Sequence, residues 1–161
     1  MSLARPVEFI RDGRTIPSPE VTKLMYSMLE LGPKDKLLEI GTGSSVQTSE
    51  WAKSGCEVHT IELKPVTEPW RLDNHGLEQV YAHIGDGKHG LPREAPFTAI
   101  VATCGVSDIP EAWKDQLEPM GRIVAPVGTC EAQKLTLFRK TEDGHVVPQR
   151  VAGYTRFSMM Q

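Results

Sequence analysis

The chain has little cysteine, few aromatics and no excess of charge of either sign, and each shortage excludes something. Three cysteines, Cys56, Cys104 and Cys130, are an odd set with no paired metal-ligand spacing. That excludes a disulfide framework and a zinc ribbon, and reads as the reduced thiols of a cytoplasmic protein. Lys and Arg number 18 against 21 Asp and Glu, a net charge of −3, and they are interspersed. With no basic stripe, a nucleic-acid partner is not expected. No apolar run approaches the length of about 20 residues that crosses a bilayer, and the start MSLARPVEF has no apolar signal core, so neither membrane nor secretion is expected. The five histidines are scattered without an HExxH pair, which gives no metal site.

Two nucleotide motifs are also missing. A Gly-x-Gly-x-x-Gly loop would need glycine where Val46 stands, after Gly41, Gly43, Ser44 and Ser45. No Lys-Ser or Lys-Thr pair follows a glycine-rich turn. A diphosphate cradle and a P-loop are therefore excluded.

What is present is KLLEIGTG at Lys36 to Gly43, TIEL at Thr60 to Leu63 and GDG at Gly85 to Gly87. An apolar run that ends in an acid and two spaced glycines predicts a buried strand feeding a tight turn, where backbone approaches a ligand without an intervening Cβ. Glu62 follows Gly41 by about 20 residues, the spacing at which the second strand of a Rossmann-type sheet presents an acid to a ribose. Glu39, just before the turn, would repel a phosphate and favour a cation. An adenosine that carries an amino acid and a sulfonium, S-adenosylmethionine, satisfies all three conditions.

At 161 residues, a single domain is expected, with a first segment over 1–32, a core over 33–128 and antiparallel strands over 129–161. Ser18-Pro19 opens a helix whose apolar stripe runs to residue 31 before Gly32-Pro33. Strands are predicted over 36–40, 57–61, 79–84, 97–102 and 122–127, with helices over 46–54 and 110–117. Two longer strands, 134–140 and 146–157, turn at Asp143-Gly144. The order predicts an α/β, doubly wound, mostly parallel sheet with an antiparallel C-terminal pair, and a ligand cleft beyond the carboxyl ends of the strands. Gly41 to Ser44, Glu62, Asp86 and Thr103 all fall there. Residues 63–76, with Pro65 and Pro69, predict an irregular connection where a crossover helix belongs.

These motifs, with GRTIPSP at Gly13 to Pro19, LLEIGTGS at Leu37 to Ser44, DIP at Asp108 to Pro110 and GRIVAPVG at Gly121 to Gly128, resemble the protein-L-isoaspartate O-methyltransferases. The resemblance covers nearly the whole chain and implies a Rossmann-like class I methyltransferase fold that uses S-adenosylmethionine to methylate a carboxylate of an isoaspartyl peptide or protein. It implies that Gly41, Thr42, Gly43 and Ser44 pass close to the methionine portion of the cofactor. Glu62, with Leu63 beside it, would take the ribose hydroxyls, and Asp86 with Gly87 the adenine. Glu39 would balance the cofactor's positive end.

The acceptor side departs from the family. The family's Thr-Ile-Ser is here Thr15-Ile16-Pro17, with Ser18 one position late; a family glycine is Ser45; and the loop after the fourth strand is Thr103-Cys104-Gly105-Val106-Ser107. Ser18 reads first as a helix N-cap and second as a displaced catalytic hydroxyl. Thr103 reads as structural or as a substrate contact, and Cys104 as a packed thiol. Two alternatives stay open: a methyltransferase for a small molecule or another protein group, and a cofactor-binding module without turnover. The oligomeric state stays open as well.

Overall fold

The computed structural model describes residues 8–9, 15–64 and 78–161. Its elements are β1 (Glu8–Phe9), β2 (Thr15–Ile16), α1 (Pro19–Leu29), β3 (Lys36–Ile40), α2 (Val46–Ala52), β4 (Glu57–Glu62), β5 (Val80–Ile84), β6 (Phe97–Ala102), α3 (Glu111–Gln116), β7 (Leu117–Gly128), β8 (Gln133–Lys140) and β9 (Val146–Thr155). β1 and β2 form a small antiparallel pair, and the other seven strands form one sheet in the order β5-β4-β3-β6-β7-β8-β9. Pairing is parallel from β5 through β7. It is antiparallel for β7–β8 and β8–β9.

Alternation along the strands explains the layering. Leu37, Val58, Ala99, Val101 and Val124 join Val21, Met25, Met28 and Leu29 of α1 and Trp51 of α2 in one buried cluster. Their strand neighbours Leu38, Ile40, Ile100, Ala102, Ile123 and Ala125 join Ile109, Trp113 and Leu117 in the other. Since side chains alternate across a strand, a run that is apolar at every position needs cover on both faces, and the helices supply it. Tyr26 of α1 stacks on Trp51 of α2 with ring centroids 6.1 Å apart.

α1 and α2 start where expected, α3 starts one residue later at Glu111, and all three stop earlier than expected. Ser18 caps α1, its Oγ accepting from Val21 N–H at 3.4 Å. Glu30 then turns left-handed (φ 48°) and ends the helix. Arg122 of β7 closes that end. Its guanidinium donates to the carbonyls of Leu29 and Glu30 and sits 3.0 Å from the Asp35 carboxylate. Burial opposes ionisation of Asp35, but hydrogen bonds from Thr98, Arg122 and the Gly32 amide hold its pKa below the usual value. A cation suits the carbonyl-rich end of a helix.

The main departure from the expected elements is β7, which begins at Leu117 rather than at Arg122. Leu117 already pairs with Phe97, and the register shifts before Ala99 meets Arg122. Met120 takes a left-handed φ of 63° at the irregularity. Leu117 was expected as the end of the preceding helix, and pairing with Phe97 of β6 draws it into the strand. The pair β1–β2 was not expected from the sequence. Residues 65–77, on which most of the expected irregular connection falls, lie outside the described residues.

Candidate active site

β3 lies at the centre of the parallel part of the sheet, with β4 on one side and β6 on the other, so the chain leaves it at the point where the strand order reverses. In open α/β sheets this is where a crevice forms. A cleft of about 410 Å³ opens there, lined by Ile40 at the end of β3 and Gly41, Gly43 and Ser44 after it, by Ile61 and Glu62 at the end of β4 and Leu63 and Lys64 after it, by Asp86 and Gly87 after β5, and by Thr103 and Cys104 after β6. Its size falls within the range of about 300–1,000 Å³ typical of small-molecule sites.

The turn after β3 is held in a conformation that glycine accepts easily. Gly41 has φ 94°, and a Cβ there would lie 2.8 Å from Thr103 Oγ1. Gly43 has φ 53°, and a Cβ there would meet nothing within 4 Å. One glycine is thus required by its neighbour, whereas the other leaves space on the cleft side. Gly43 N–H donates to Glu62 Oε2 at 2.9 Å, and Leu63 N–H donates to Glu62 Oε1 at 3.1 Å. The carboxylate is therefore fixed at the rim by two main-chain donors. Asp86 is held similarly, accepting from Lys88 N–H at 2.9 Å. Gly87 lies under Ile40, where a Cβ would be 2.6 Å from Ile40 Cγ2. Its carbonyl accepts from Trp113 Nε1 at 2.8 Å.

Three of the residues singled out in the sequence lie elsewhere. Glu39 is fully buried and does not line the cleft. It shares the face of β3 that carries Leu37, which α2 covers, and it accepts from Thr48 Oγ1 at 2.5 Å, Trp51 Nε1 at 2.7 Å and Thr60 Oγ1 at 2.7 Å. Burial is the largest influence on it and pushes its pKa from 4.5 up to about 7, against those three hydrogen bonds. The expectation that Glu39 faces a cofactor's positive end is corrected by strand alternation. Thr42 is also buried, with Oγ1 2.7 Å from Thr60 Oγ1. Because the Thr60 hydroxyl hydrogen is used toward Glu39, Thr42 donates to Thr60. Ser18 is buried as the α1 cap and is not part of the cleft wall.

Thr103 does line the cleft, yet its hydroxyl is engaged with the carbonyls of Ile40 and Gly41. It clamps the β3 turn. Ser45, where the family has glycine, is left-handed at φ 62°, a conformation that costs a non-glycine residue roughly 1–2 kcal/mol. Its Oγ donates to the Ser44 carbonyl at 2.6 Å. Cys104 is a poor nucleophile, since burial, with Glu62 nearby, pushes its thiol up to about 12.

The structure adds cleft residues that the sequence reading did not name: Gln47, Lys64 and the segment Ser158 to Gln161. Gln47 was legible in principle as a polar side chain in the first turn after the glycine turn. The last segment was not. It reaches the cleft through main-chain bonds, Gly105 N–H to Ser158 O and Met160 N–H to Gly105 O, both 2.8 Å, which no local pattern announces. Gln133 holds its base, accepting from Phe157 N–H at 2.7 Å. Among the described residues, no cluster of three His, Cys, Asp or Glu side chains could hold a metal ion. No described helix is long and apolar enough to cross a membrane.

The profile of the family described as protein-L-isoaspartate(D-aspartate) O-methyltransferase matches residues 4–158. The chain belongs to this family. Protein-L-isoaspartate O-methyltransferases of Geobacter metallireducens and Methanopyrus kandleri are 40% and 36% identical to it, over 89% and 88% of the chain and 68% and 66% of their own lengths. A solved protein-L-isoaspartate O-methyltransferase superposes with a TM-score of 0.83 at 26% identity, covering 96% of this chain and 51% of that one. A second solved structure, a family protein from Plasmodium falciparum in complex with S-adenosyl-L-homocysteine, has a TM-score of 0.82 at 18% identity over 98% of this chain and 81% of its own. The fold is that of the class I S-adenosylmethionine-dependent methyltransferases. The chain spans about half the length of the first solved relative and about two thirds of the curated ones.

Proposed function

We propose that the cleft binds S-adenosylmethionine and that the protein methylates the free carboxylate of an isoaspartyl residue in a peptide or protein. The observation that carries the cofactor reading is the pair of main-chain bonds from Gly43 and Leu63 that fix the Glu62 carboxylate at the rim of the cleft, and membership of the family supports the acceptor. A carboxylate held in this way can accept from two neighbouring hydroxyls, as a ribose presents. The residues fit the cofactor in other respects too. Gly43 leaves the wall without a side chain, Asp86 offers a second acceptor for an exocyclic amine, and two acids on the wall oppose a diphosphate.

The bound cofactor supplies a methyl group on a cationic sulfur, ready for in-line displacement. A carboxylate acceptor is already ionised at neutral pH, with a reference pKa of about 4, and needs no general base. The chain's own contribution is then alignment and exclusion of water. Ile40, Gly87 and the segment Ser158 to Gln161 wall the cleft, and the Thr103 clamp holds Gly41 in place.

The test is calorimetry with S-adenosylhomocysteine and NAD, followed by methyl transfer to an isoaspartyl peptide and to its aspartyl counterpart. Binding of S-adenosylhomocysteine, with transfer only to the isoaspartyl form, is expected. Tight NAD binding without S-adenosylhomocysteine binding would overturn the cofactor assignment. A second reading, a different acceptor or no turnover, is favoured by Pro17 at the family's serine position and by Ser18 serving as a cap. Cofactor binding without transfer to either peptide would establish it.

A further inference from the structure

Gln47 sits in the first turn of α2, lines the cleft and is 5% exposed, yet its Nε2 has no hydrogen-bond partner. Buried amide groups are seldom left so, and each one that is calls for an explanation. The neighbouring hydroxyls along the chain are directed to other groups, Thr48 Oγ1 to Glu39, Ser45 Oγ to the Ser44 carbonyl and Ser49 Oγ to the Ser45 carbonyl, and none of them accepts from this amide. Thr155 Oγ1, the other such atom among the described residues, lies on β9 and not on the cleft. A donor held without an acceptor beside a ligand cleft is open to an acceptor carried by a ligand.

We propose that the Gln47 side-chain amide donates to the α-carboxylate of the cofactor's amino-acid portion, and so sets the site's preference for a ligand that carries that group. The inference rests on the cofactor reading above. In that reading Glu62 and Asp86, both acceptors, serve the adenosine, while Gln47 shares the loop-to-helix wall with Gly43 and Ser44. Of the groups on the amino-acid end, the ammonium and the sulfonium accept nothing, and the carboxylate is the one strong acceptor. The terminal torsion of a glutamine is broad, so the amide reaches its partner without a change of backbone. A carboxylate could also come from the methyl acceptor, and the measurement separates the two sources.

Wild type, Gln47→Leu and Gln47→Glu are titrated with S-adenosylhomocysteine and with 5′-deoxy-5′-methylthioadenosine, which keeps the adenosine and the thioether and lacks the amino-acid carboxylate. Loss of a hydrogen bond to a charged group corresponds to roughly ten- to a hundredfold in affinity. The expected result is a loss of that size for S-adenosylhomocysteine with Gln47→Leu, a larger loss with Gln47→Glu through like-charge repulsion, and methylthioadenosine affinity within about twofold of wild type in Gln47→Leu. The melting temperature of ligand-free Gln47→Leu should be unchanged or higher, because an unsatisfied buried amide has been replaced by an apolar side chain of similar size. Equal losses for both ligands, no loss for either, or a rise confined to the KM of the isoaspartyl peptide overturn the proposal. If wild type binds neither ligand, the cofactor reading itself fails.

Discussion

Gly43 and Glu62 are joined by a hydrogen bond of 2.9 Å from the turn amide to a carboxylate oxygen, so the loop after β3 and the end of β4 are fixed to each other within the protein itself. The acid is oriented by main chain and does not depend on a ligand for its position. Preorganisation of this kind lowers the cost of ordering on binding.

Glu62→Ala should therefore lose both the ribose acceptor and the tie between the two loops. A charge-assisted hydrogen bond corresponds to about 1.5–3 kcal/mol, or roughly ten- to a hundredfold in affinity for S-adenosylhomocysteine. Ser18→Ala should leave that affinity within about twofold and instead cost about 1 kcal/mol of stability through the lost α1 cap. Calorimetry and urea unfolding on the two variants check the contrast, and an unchanged affinity in Glu62→Ala would remove Glu62 from the site.

The two turn glycines should fail in different ways. Gly41→Ala meets both a left-handed φ and a Cβ 2.8 Å from Thr103 Oγ1, so it should lose more than the roughly 1–2 kcal/mol of the backbone conformation alone. Thr103→Ala in the same chain should relieve only the contact and recover part of the loss. Gly43→Ala meets no neighbour, so its stability should fall by the conformational cost alone while cofactor binding weakens, because the new methyl stands on the cleft side. Denaturant midpoints with parallel titrations distinguish these outcomes.

Glu39 should make stability depend on pH. Its folded pKa is raised from 4.5 to about 7, so the native state binds more protons than the unfolded one between those values. Stability from this group is fully present below about pH 4.5 and declines as pH rises toward 7, by roughly 3 kcal/mol in all. Glu39→Gln, which cannot ionise, should flatten the slope across that window. A profile as steep in Glu39→Gln as in wild type would show that other groups carry it.

On the acceptor side, Pro17→Ser restores the family's hydroxyl position. If that hydroxyl aligns the acceptor carboxylate, single-turnover transfer to an isoaspartyl peptide should speed up while S-adenosylhomocysteine affinity stays constant, since the β3 turn, Glu62 and Asp86 are left unchanged. Robust wild-type turnover that the substitution leaves unchanged or reduces would mean that Ser18 capping and Pro17 cost the enzyme nothing.

The parallel core was legible because its signals are local and redundant. KLLEI followed by Gly-x-Gly, and FTAIVA, are unbroken apolar runs that both faces must cover, and β3 and β6 occupy the expected residues. The position of Glu62 at the end of β4 was legible from its spacing to the glycine turn, whereas a role for Asp86 came only through the family resemblance; both line the cleft. Glu39 was misread because an acid beside a glycine turn looks exposed in one dimension. Strand alternation carried it to the covered face, where Thr48, Trp51 and Thr60 hold it. The early start of β7 came from pairing with Phe97, a partner distant in sequence.

The sequence by itself determined the sheet, the turn and the acids at its rim, since strand periodicity, glycine conformation and residue spacing are properties of short segments. Only the tertiary structure decided which face Glu39 occupies, that Thr103 serves as a clamp, that Gln47 is left without an acceptor and that Ser158 to Gln161 close the cleft. Each of these depends on a contact between segments that the chain brings together only when the sheet has formed.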